Sequence, residues 1–568
     1  MIKTKQVALS REGLFAALWL IGINFLAFLW QLGSTGLIDE TEPLFAEASR
    51  QIVLTNNWIT PYFDDATRFD KPILIYWLIA ICYKLMGVNS WAVRLPSAIA
   101  AIFLTCLCFF VLRKFSPVNP FRTALLGSTL TAFNIHTYLW AHQGVSDLLL
   151  SGCLGGALFC FFWGYAVRSK KWYLAFFVFS GLAVLTKGPV GIVLPLLIIT
   201  AFLFYVGELK AVLQEVPWKS GILAFLLINL PWYLLVTLQN GWNFINSFFG
   251  HHNFERFTQV VDKQSAPWYF YSLIVLGLFA PWSVYLPLAM VRIEFWKRKF
   301  WSHHCRSEQL GLFAVFWFVG VFLFFTIAIT KLPSYVLPLV PASSILVSSL
   351  WSEAIDKAAK HPPRGFLISI IFHIILLVLM TIGAINMVYW IGSDSAMLRL
   401  AGLLDSAFLP VAGTIIWGVT ALLTLFCLLY KGWWTRIIWV NIAGFAAFLL
   451  FFITPAFTLV DQVRQLPLRE MATVIKTQVK PHEKVMMIGF RKPSLVFYSD
   501  HSIGYFWSLD QAEAKEYIQK IPKDAAPTIL LIGQPSEISQ TRLKENEYQI
   551  IAKKDPYLLV RVERVKLK

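Results

Sequence analysis

Charge is what this chain has least of. Asp, Glu, Lys and Arg make up 14% of its 568 residues, against about a quarter in soluble domains. That is too little to cover a water-facing surface of this size, which excludes an ordinary soluble protein. Cysteine is scarce too: there are seven, with Cys106, Cys108, Cys153, Cys160 and Cys427 inside apolar stretches and none after Cys427. No paired spacing points to a disulfide framework or a zinc knuckle, so they read as small buried hydrophobes. A concentrated basic patch is also missing. The net charge of +17 is spread over many short loops, as expected of cytoplasmic loops in a membrane protein, and argues against nucleic acid. No internal repeat stands out.

What is present is apolar surface. The chain is 57% hydrophobic with a mean hydropathy of +0.62, and runs of roughly 18 or more apolar residues recur, each long enough to cross about 30 Å of hydrocarbon. They predict about thirteen spans, near 12–32, 91–112, 122–141, 148–167, 172–187, 189–206, 220–238, 268–291, 310–329, 334–351, 366–391, 409–430 and 435–454. The first follows Lys3, Lys5 and Arg11 without a convincing cleavage motif and reads as an uncleaved span. Thr186-Lys187-Gly188-Pro189 and Thr330-Lys331-Leu332-Pro333 read as hairpin turns, each setting a cation and a helix breaker between apolar runs.

Residues 72–86 decide the parity. This stretch is apolar but marginal in length for a crossing. If it stays at the interface, Arg113/Lys114/Arg122, Arg168/Lys170/Lys171, Lys210/Lys219, the run 292–306, Lys357/Lys360/Arg364 and Lys431/Arg436 all join the N-terminus on one side. That retains roughly twenty basic residues inside, whereas the other assignment exports nearly all of them. The fold expected is therefore an all-α polytopic membrane domain over 1–455, with a C-terminal extracytoplasmic α/β domain over 456–568. In the latter, residues 467–479 look helical, and 485–488, 529–532 and 558–562 suit buried strands. It carries no evident catalytic motif and reads as an accessory or acceptor-side domain.

With this threading the outer face collects Asp39, Glu40, Glu42 and Glu47, then Asp64, Asp65, Arg68, Asp70 and Lys71, with Asp147 at the mouth of a span. Lys187 and Lys331 sit in the two hairpins, and His251, His252, Glu255 and Arg256 in a further outer loop. Carboxylates placed near a bilayer are functional candidates by default, although a single loop acid more often simply faces water. Residues 41–53 set Leu44, Phe45, Ala48 and Ile52 on one side of a helix, opposite Glu47 and Arg50, as in a helix lying on a membrane surface. Trp58, Tyr62, Tyr76 and Trp77 are the aromatic residues expected at such an interface.

This inventory suits sugar transfer from a lipid-linked phosphate. A carboxylate, from Asp39, Glu40, Glu42 or Asp147, takes the proton of the acceptor hydroxyl. Cations among Lys71, Lys187, Lys331 and Arg256 stabilise the departing phosphate. Asp70, His251 and His252 could hold a divalent metal, since imidazole with carboxylate suits zinc or a similar ion.

The stretch 36–96 (GLIDETEPLFAEASRQIVLTNNWITP…RFDKPILIYWL…RLP) and residues 331–342 (KLPSYVLPLVPA) resemble the aminoarabinose transferases, a family within the protein-mannosyltransferase group with the GT-C fold. The resemblance implies an inverting transferase in the bacterial inner membrane that uses an undecaprenyl-phosphate-linked sugar on the periplasmic face. The acceptor would be lipid A, another lipid, a glycan or a protein. Carried over by motif, it places the acidic pair on Asp39 and Glu40, the second acidic position on Asp147, the phosphate-contacting lysine on Lys71, the preceding acid on Asp70 and the later tyrosine on Tyr335. There are two departures. Counting back from Lys71 sets the catalytic aspartate nearer Thr41, which leaves Asp39 or Glu42 as the base, and Asn253 stands where the family often carries histidine. A transporter or lipid-linked-sugar flippase is the alternative, but such proteins bury ionisable residues near mid-depth, often in repeated halves, whereas here they gather at one face.

Overall fold

Backbone N–H and C=O groups in hydrocarbon must be satisfied within their own segment, so long apolar runs become helices. The computed structural model describes residues 11–248, 250, 265–357, 359–391, 395–522, 525–541 and 543–567. Among these, nine helices are long and apolar enough to cross a membrane, and a tenth if Phe270–Leu278 and Trp282–Arg292, bent by 113°, form one span. The bend lies at Pro281, which has no amide hydrogen to continue a helix.

The other three expected runs are helical but shorter, interrupted or more charged. Pro120–Ala132 and Ile135–Ala141 are separated at Asn134, which satisfies both ends. Its amide donates to the Leu130 and Thr131 carbonyls at 2.9 Å, and its carbonyl accepts from the Thr137 amide at 2.8 Å. Lys170–Lys187 carries three lysines, and Val190–Val206 has 17 residues. These two helices are joined at Gly188, whose φ of +83° favours glycine. Residues 72–86 form the helix Leu74–Met86. Its 13 residues rise only about 20 Å, too little to cross unaided.

Ion pairs connect the loops that the charge count assigned to one side. Arg113 meets Glu12 at 2.9 Å, Arg122 meets Asp356, and Arg292 meets Glu353 at 2.7 Å. Arg306 bridges Glu208 and Glu215 at 2.7 and 2.8 Å, and Arg168 lies 3.8 Å from Glu215. Such pairs add little stability each, but they fix which loops are neighbours.

A different ion pair sets loop one, residues 30–73 between the first span and the helix Leu74–Met86. Arg94, from the span Ser90–Phe115, holds Glu42 in a two-pronged contact, Nε to Oε1 at 2.8 Å and Nη2 to Oε2 at 3.0 Å. Both side chains are 1% exposed. The guanidinium also donates to the carbonyls of Leu32, Thr35 and Gly36 and to Thr35 Oγ1. Glu42 in turn accepts from the amides of Ile38 and Gly144 at 2.7 and 2.8 Å. Every polar atom of the pair is used, as a buried charge requires.

The helix Thr41–Thr55 that follows is covered on both faces. Phe45 stacks on Tyr76 at 5.2 Å. The face expected to be solvated is closed as well: Glu47 is 1% exposed and pairs with Arg50 at 2.8 Å. Arg50 also pairs with Asp500 and lies 5.6 Å from the Phe497 ring. The two charges neutralise each other under the C-terminal unit, so the helix is clamped between the two parts of the chain.

That unit contains a five-stranded sheet of order β4-β3-β5-β7-β6. Its strands are β3 (Lys484–Ile488), β4 (Ile503–Phe506), β5 (Thr528–Gly533), β6 (Tyr548–Lys554) and β7 (Tyr557–Glu563), after a small hairpin β1 (Tyr62–Phe63) and β2 (Ala66–Thr67) in the loop between spans. β3 pairs parallel with β4 and β5, while β7 is antiparallel to β5 and β6. Alternate residues feed two cores. Val485, Met487, Leu530 and Ile532 meet Leu468, Met471 and Ile475 of the helix Leu466–Gln478, while Met486, Ile529 and Leu531 meet Ile518 on the other face. The expected helix and three strands are there, and β4 and β6 were not expected. Gly36 donates to Asp461 at 2.7 Å and Leu37 to the Tyr498 hydroxyl at 2.9 Å, which tie loop one to this end of the chain.

Replacing Arg94 by Ala leaves Glu42 buried and uncompensated, so Arg94→Ala is expected to cost about 3–5 kcal/mol. Glu42→Gln added to it should recover part of that loss. Apparent melting temperatures of the detergent-solubilised variants test the pair, and an unchanged value for Arg94→Ala contradicts the clamp.

Candidate active site

Where loop one, the hairpin turns and the C-terminal unit meet, a chamber of about 800 Å³ opens. Its lining includes Glu40, Asp64, Arg68, Asp70, Lys71, Ser146, Asp147, Lys187, Tyr335 and Arg491. Local rules position most of them. Asp147 lies in the first turn of Ser146–Val167 and Lys187 in the last turn of the adjoining helix Lys170–Lys187, the termini the helix dipole favours for each charge. They form an ion pair of 2.7 Å, and Lys187 Nζ lies 4.9 Å from the Tyr335 ring centre.

A second cationic centre faces the same space. The Asp70 carboxylate accepts from Lys71 Nζ at 2.7 Å and from Arg68 Nη2 at 3.0 Å. Two buried donors, Arg68 Nε and Ser146 Oγ, lack a well-aligned hydrogen-bond partner among the described residues. An unmet buried donor costs about 1–3 kcal/mol, a cost that a bound phosphate or hydroxyl oxygen relieves. Of the four acids lining the chamber, Asp70 and Asp147 are held by cations; Glu40 and Asp64 make no ion pair with a described residue. Glu40 is exposed, at the start of Thr41–Thr55.

The structure therefore gathers Glu40, Asp70, Lys71, Asp147, Lys187 and Tyr335, as the sequence suggests, but turns others away. Glu42 is consumed by Arg94 and does not line the chamber, so its reading as a base is corrected by burial and full bonding. Asp39 points to the other side of loop one. It accepts from the Ser494 amide at 3.0 Å and the Ser494 hydroxyl at 2.5 Å, and borders a separate cavity of about 370 Å³ with Arg464, Gln465 and Lys492. Lys331 Nζ donates to the Ala328 carbonyl at 2.6 Å, while its neighbours Leu332 and Tyr335 reach the chamber. His251, His252 and Arg256 lie outside the described residues. Among the described residues, no group of three His, Cys, Asp or Glu side chains could hold a metal.

Sequence reasoning did not single out Arg491 and Tyr505 of the C-terminal unit. The predicted strand 485–488 was a signal for Arg491, whereas Tyr505 lies on a strand the sequence did not suggest. Arg491 follows the carboxyl end of β3, and Tyr505 lies near that of β4, where open parallel sheets bind ligands.

Comparison with known proteins fits this geometry. Residues 70–234 match the family described as dolichyl-phosphate-mannose-protein mannosyltransferase, and residues 478–568 match the C-terminal domain of the cyanobacterial RgtA-type glycosyltransferases. The chain is 30% identical over 372 residues to the undecaprenyl phosphate-alpha-4-amino-4-deoxy-L-arabinose arabinosyl transferase 2 of Proteus mirabilis (strain HI4320), covering 63% of each chain. It is also 30% identical over 342 residues to the enzyme of that name from Pseudomonas fluorescens (strain Pf0-1), covering 58% of this chain and 59% of that one. The chain thus spans about three fifths of these relatives' length, 63% and 59%. ArnT from Cupriavidus metallidurans, bound to undecaprenyl phosphate, superposes with a TM-score of 0.75 at 20% identity over 97% of this chain and 98% of that one. The fold is shared from end to end, and the GT-C expectation holds.

Asp39 yields a pH signature. Burial, outweighing the Ser494 bonds, raises its carboxyl from the ordinary 3.8 to about 6. Below about pH 4 the group is protonated in folded and unfolded chains alike, and its contribution is complete. As pH rises through 6 the folded protein must carry a buried carboxylate, and about 3 kcal/mol is lost. Apparent melting temperature should therefore fall more steeply from pH 4 to 7 in the wild type than in Asp39→Asn; parallel curves contradict the assignment.

Proposed function

We propose that this chain, an aminoarabinose-transferase-like multi-pass membrane member of the protein-mannosyltransferase family, is an inverting glycosyltransferase. It moves a sugar from an undecaprenyl-phosphate carrier to the hydroxyl of a lipid, glycan or protein acceptor. Glu40 carries the reading: it borders the chamber alone, is solvent-accessible, and is held by no cation among the described residues. Asp64 also makes no ion pair with a described residue, but it borders an outer groove as well as the chamber.

In the reaction, Glu40 accepts the proton of the acceptor hydroxyl as its oxygen bonds to the anomeric carbon from the face opposite the phosphate. The bond between that carbon and the phosphate oxygen breaks, and its electron pair leaves with the polyprenyl phosphate. Lys71, Arg68 and Lys187 surround the space where this charge develops. Asp70 and Asp147 hold those cations in place before substrate arrives, so little reorganisation is needed. Asp39, Glu42 and Lys331 have positioning rather than proton-transfer roles. Arg256 is proposed as a further phosphate contact. A divalent ion such as zinc on Asp70, His251 and His252 is a separate proposal. Asp70 is already engaged by Arg68 and Lys71, and no step above is routed through a metal.

The same proposal places the chamber and residues 456–568 on the periplasmic face of the bacterial inner membrane. The basic loops lie together at the other end, in the arrangement that keeps positive charge inside.

Incubating the purified protein with a panel of polyprenyl-phosphate sugars should release free polyprenyl phosphate from at least one. Glu40→Gln is expected to lower kcat by about 10²–10⁴, whereas Asp39→Asn and wild type should turn over comparably. Lys71→Ala should lower kcat by about 10²–10³. Undiminished turnover by Glu40→Gln removes it as the base.

A further inference from the structure

An imidazole is buried against the hairpin that carries Tyr335. His136 is 1% exposed and lies in Ile135–Ala141, the short helix that Asn134 separates from Pro120–Ala132. An ionisable side chain at membrane depth is costly and marks function by default, with a bonded partner to be named. The partner here is the Pro333 carbonyl, 3.0 Å from Nε2. A carbonyl oxygen only accepts, so Nε2 carries the ring proton and donates it. Trp140 packs edge-on against the ring, with 5.0 Å between centres.

What this bond holds is not an ordinary stretch of core. Pro333 opens Pro333–Leu339, seven residues wound as a 3₁₀ helix. Such helices have poorer hydrogen-bond geometry and seldom exceed about three or four residues. This one also contains Pro338, which contributes no amide hydrogen. Side chains from neighbouring helices hold it instead: Trp317 Nε1 donates to the Pro338 carbonyl at 2.8 Å at one end, and His136 to that of Pro333 at the other. Between the two anchors lie Ser334, beside the Asp147 carboxylate, and Tyr335 on the chamber wall. The Tyr335 ring centre is 5.1 Å from that of Phe325 and 4.9 Å from Lys187 Nζ, close enough for the ammonium to be drawn to the ring face. Lys187 in turn pairs with Asp147 at 2.7 Å. An apolar side chain at 136 would fill the same space at lower cost, but could not hold the carbonyl.

We propose that His136 is a positioning residue for the transfer: by holding the Pro333 carbonyl it sets Tyr335 against Lys187, and so fixes where that ammonium meets the departing phosphate. His136 does not itself line the chamber. This rests on the transferase reading and adds to it a residue that acts only through the turn.

Exchange and turnover separate the two. Amide hydrogen exchange on the full-length detergent-solubilised protein should be faster over residues 334–339 in two variants. One is His136→Phe, which keeps a ring but has no donor; the other is His136→Asn, whose amide stops short of the carbonyl. His136→Gln, long enough to donate to it, should exchange as the wild type does. With the panel of polyprenyl-phosphate sugars as donors, His136→Phe and His136→Asn should lower kcat by about 10–10²-fold and leave the donor KM nearly unchanged. His136→Gln should retain most of the rate. Combined with Tyr335→Ala, His136→Phe should add little further loss, because both act at one point. Should His136→Phe fail to fold, His136→Asn carries the same comparisons. Wild-type exchange or wild-type kcat in the variants that cannot donate, or losses that multiply with that of Tyr335→Ala, overturns the positioning role. Faster exchange in those variants together with no donor cleavage by the wild type overturns the transferase reading instead.

Discussion

The buried contact between Arg94 and Glu42 is the constraint on which the site depends. Taking two charges out of water is costly, and their attraction repays that cost only when every remaining donor and acceptor is used. Here they are: the guanidinium gathers three carbonyls and a hydroxyl of loop one, and the carboxylate binds two amides, one from beside Ser146–Val167. The pair therefore joins loop one to two spans at a fixed depth. Its value lies in position more than in stability, because an apolar pair of similar volume could be as stable but could not hold four backbone groups of an extended loop.

That position decides the roles of the neighbouring acids. With Glu42 pinned inward, Asp39 falls towards Ser494 and Glu40 into the chamber. Three carboxylates within four residues thus take three places: in a clamp, in a contact between the two parts of the chain, and on the wall of the chamber. At the opposite wall, Asp147 with Lys187 and Asp70 with Lys71 and Arg68 follow another rule. Their charges are paired but border open space, so the cations facing the chamber are oriented by carboxylates rather than by solvent.

Much of this was legible in the chain, for separable reasons. The spans could be read because hydrocarbon leaves the backbone no choice but a helix, and the turn at Lys187-Gly188 because glycine and a cation interrupt two apolar runs. The grouping of the basic loops could be read because they obey one asymmetric rule, and ion pairs join them. The breaks at Asn134 and Pro281 were less visible, since polar capping within an apolar run does not change its composition. The roles of Asp39, Glu40 and Glu42 were not legible, because their partners lie 455 residues away at Ser494 and 52 away at Arg94. Periodicity places a residue on a face but is silent about what covers it. Glu47 and Arg50 show this most plainly: they form a polar stripe that is closed because each neutralises the other and Asp500 completes the set.

A chamber built this way also needs its third wall. Loop one and the spans supply the carboxylate and the cations, yet they leave the outer side open, and Arg491 and Tyr505 close it from the sheet. Fixing that sheet costs conformational freedom, which is recovered through contacts spread along loop one: Gly36 to Asp461, Leu37 to Tyr498, Asp39 to Ser494, and Arg50 to Asp500. These contacts alternate in sequence with the inward bonds of Ile38 and Glu42. The loop is therefore held from both sides at once, and neither half of the protein can shift without moving the residue between them, Glu40.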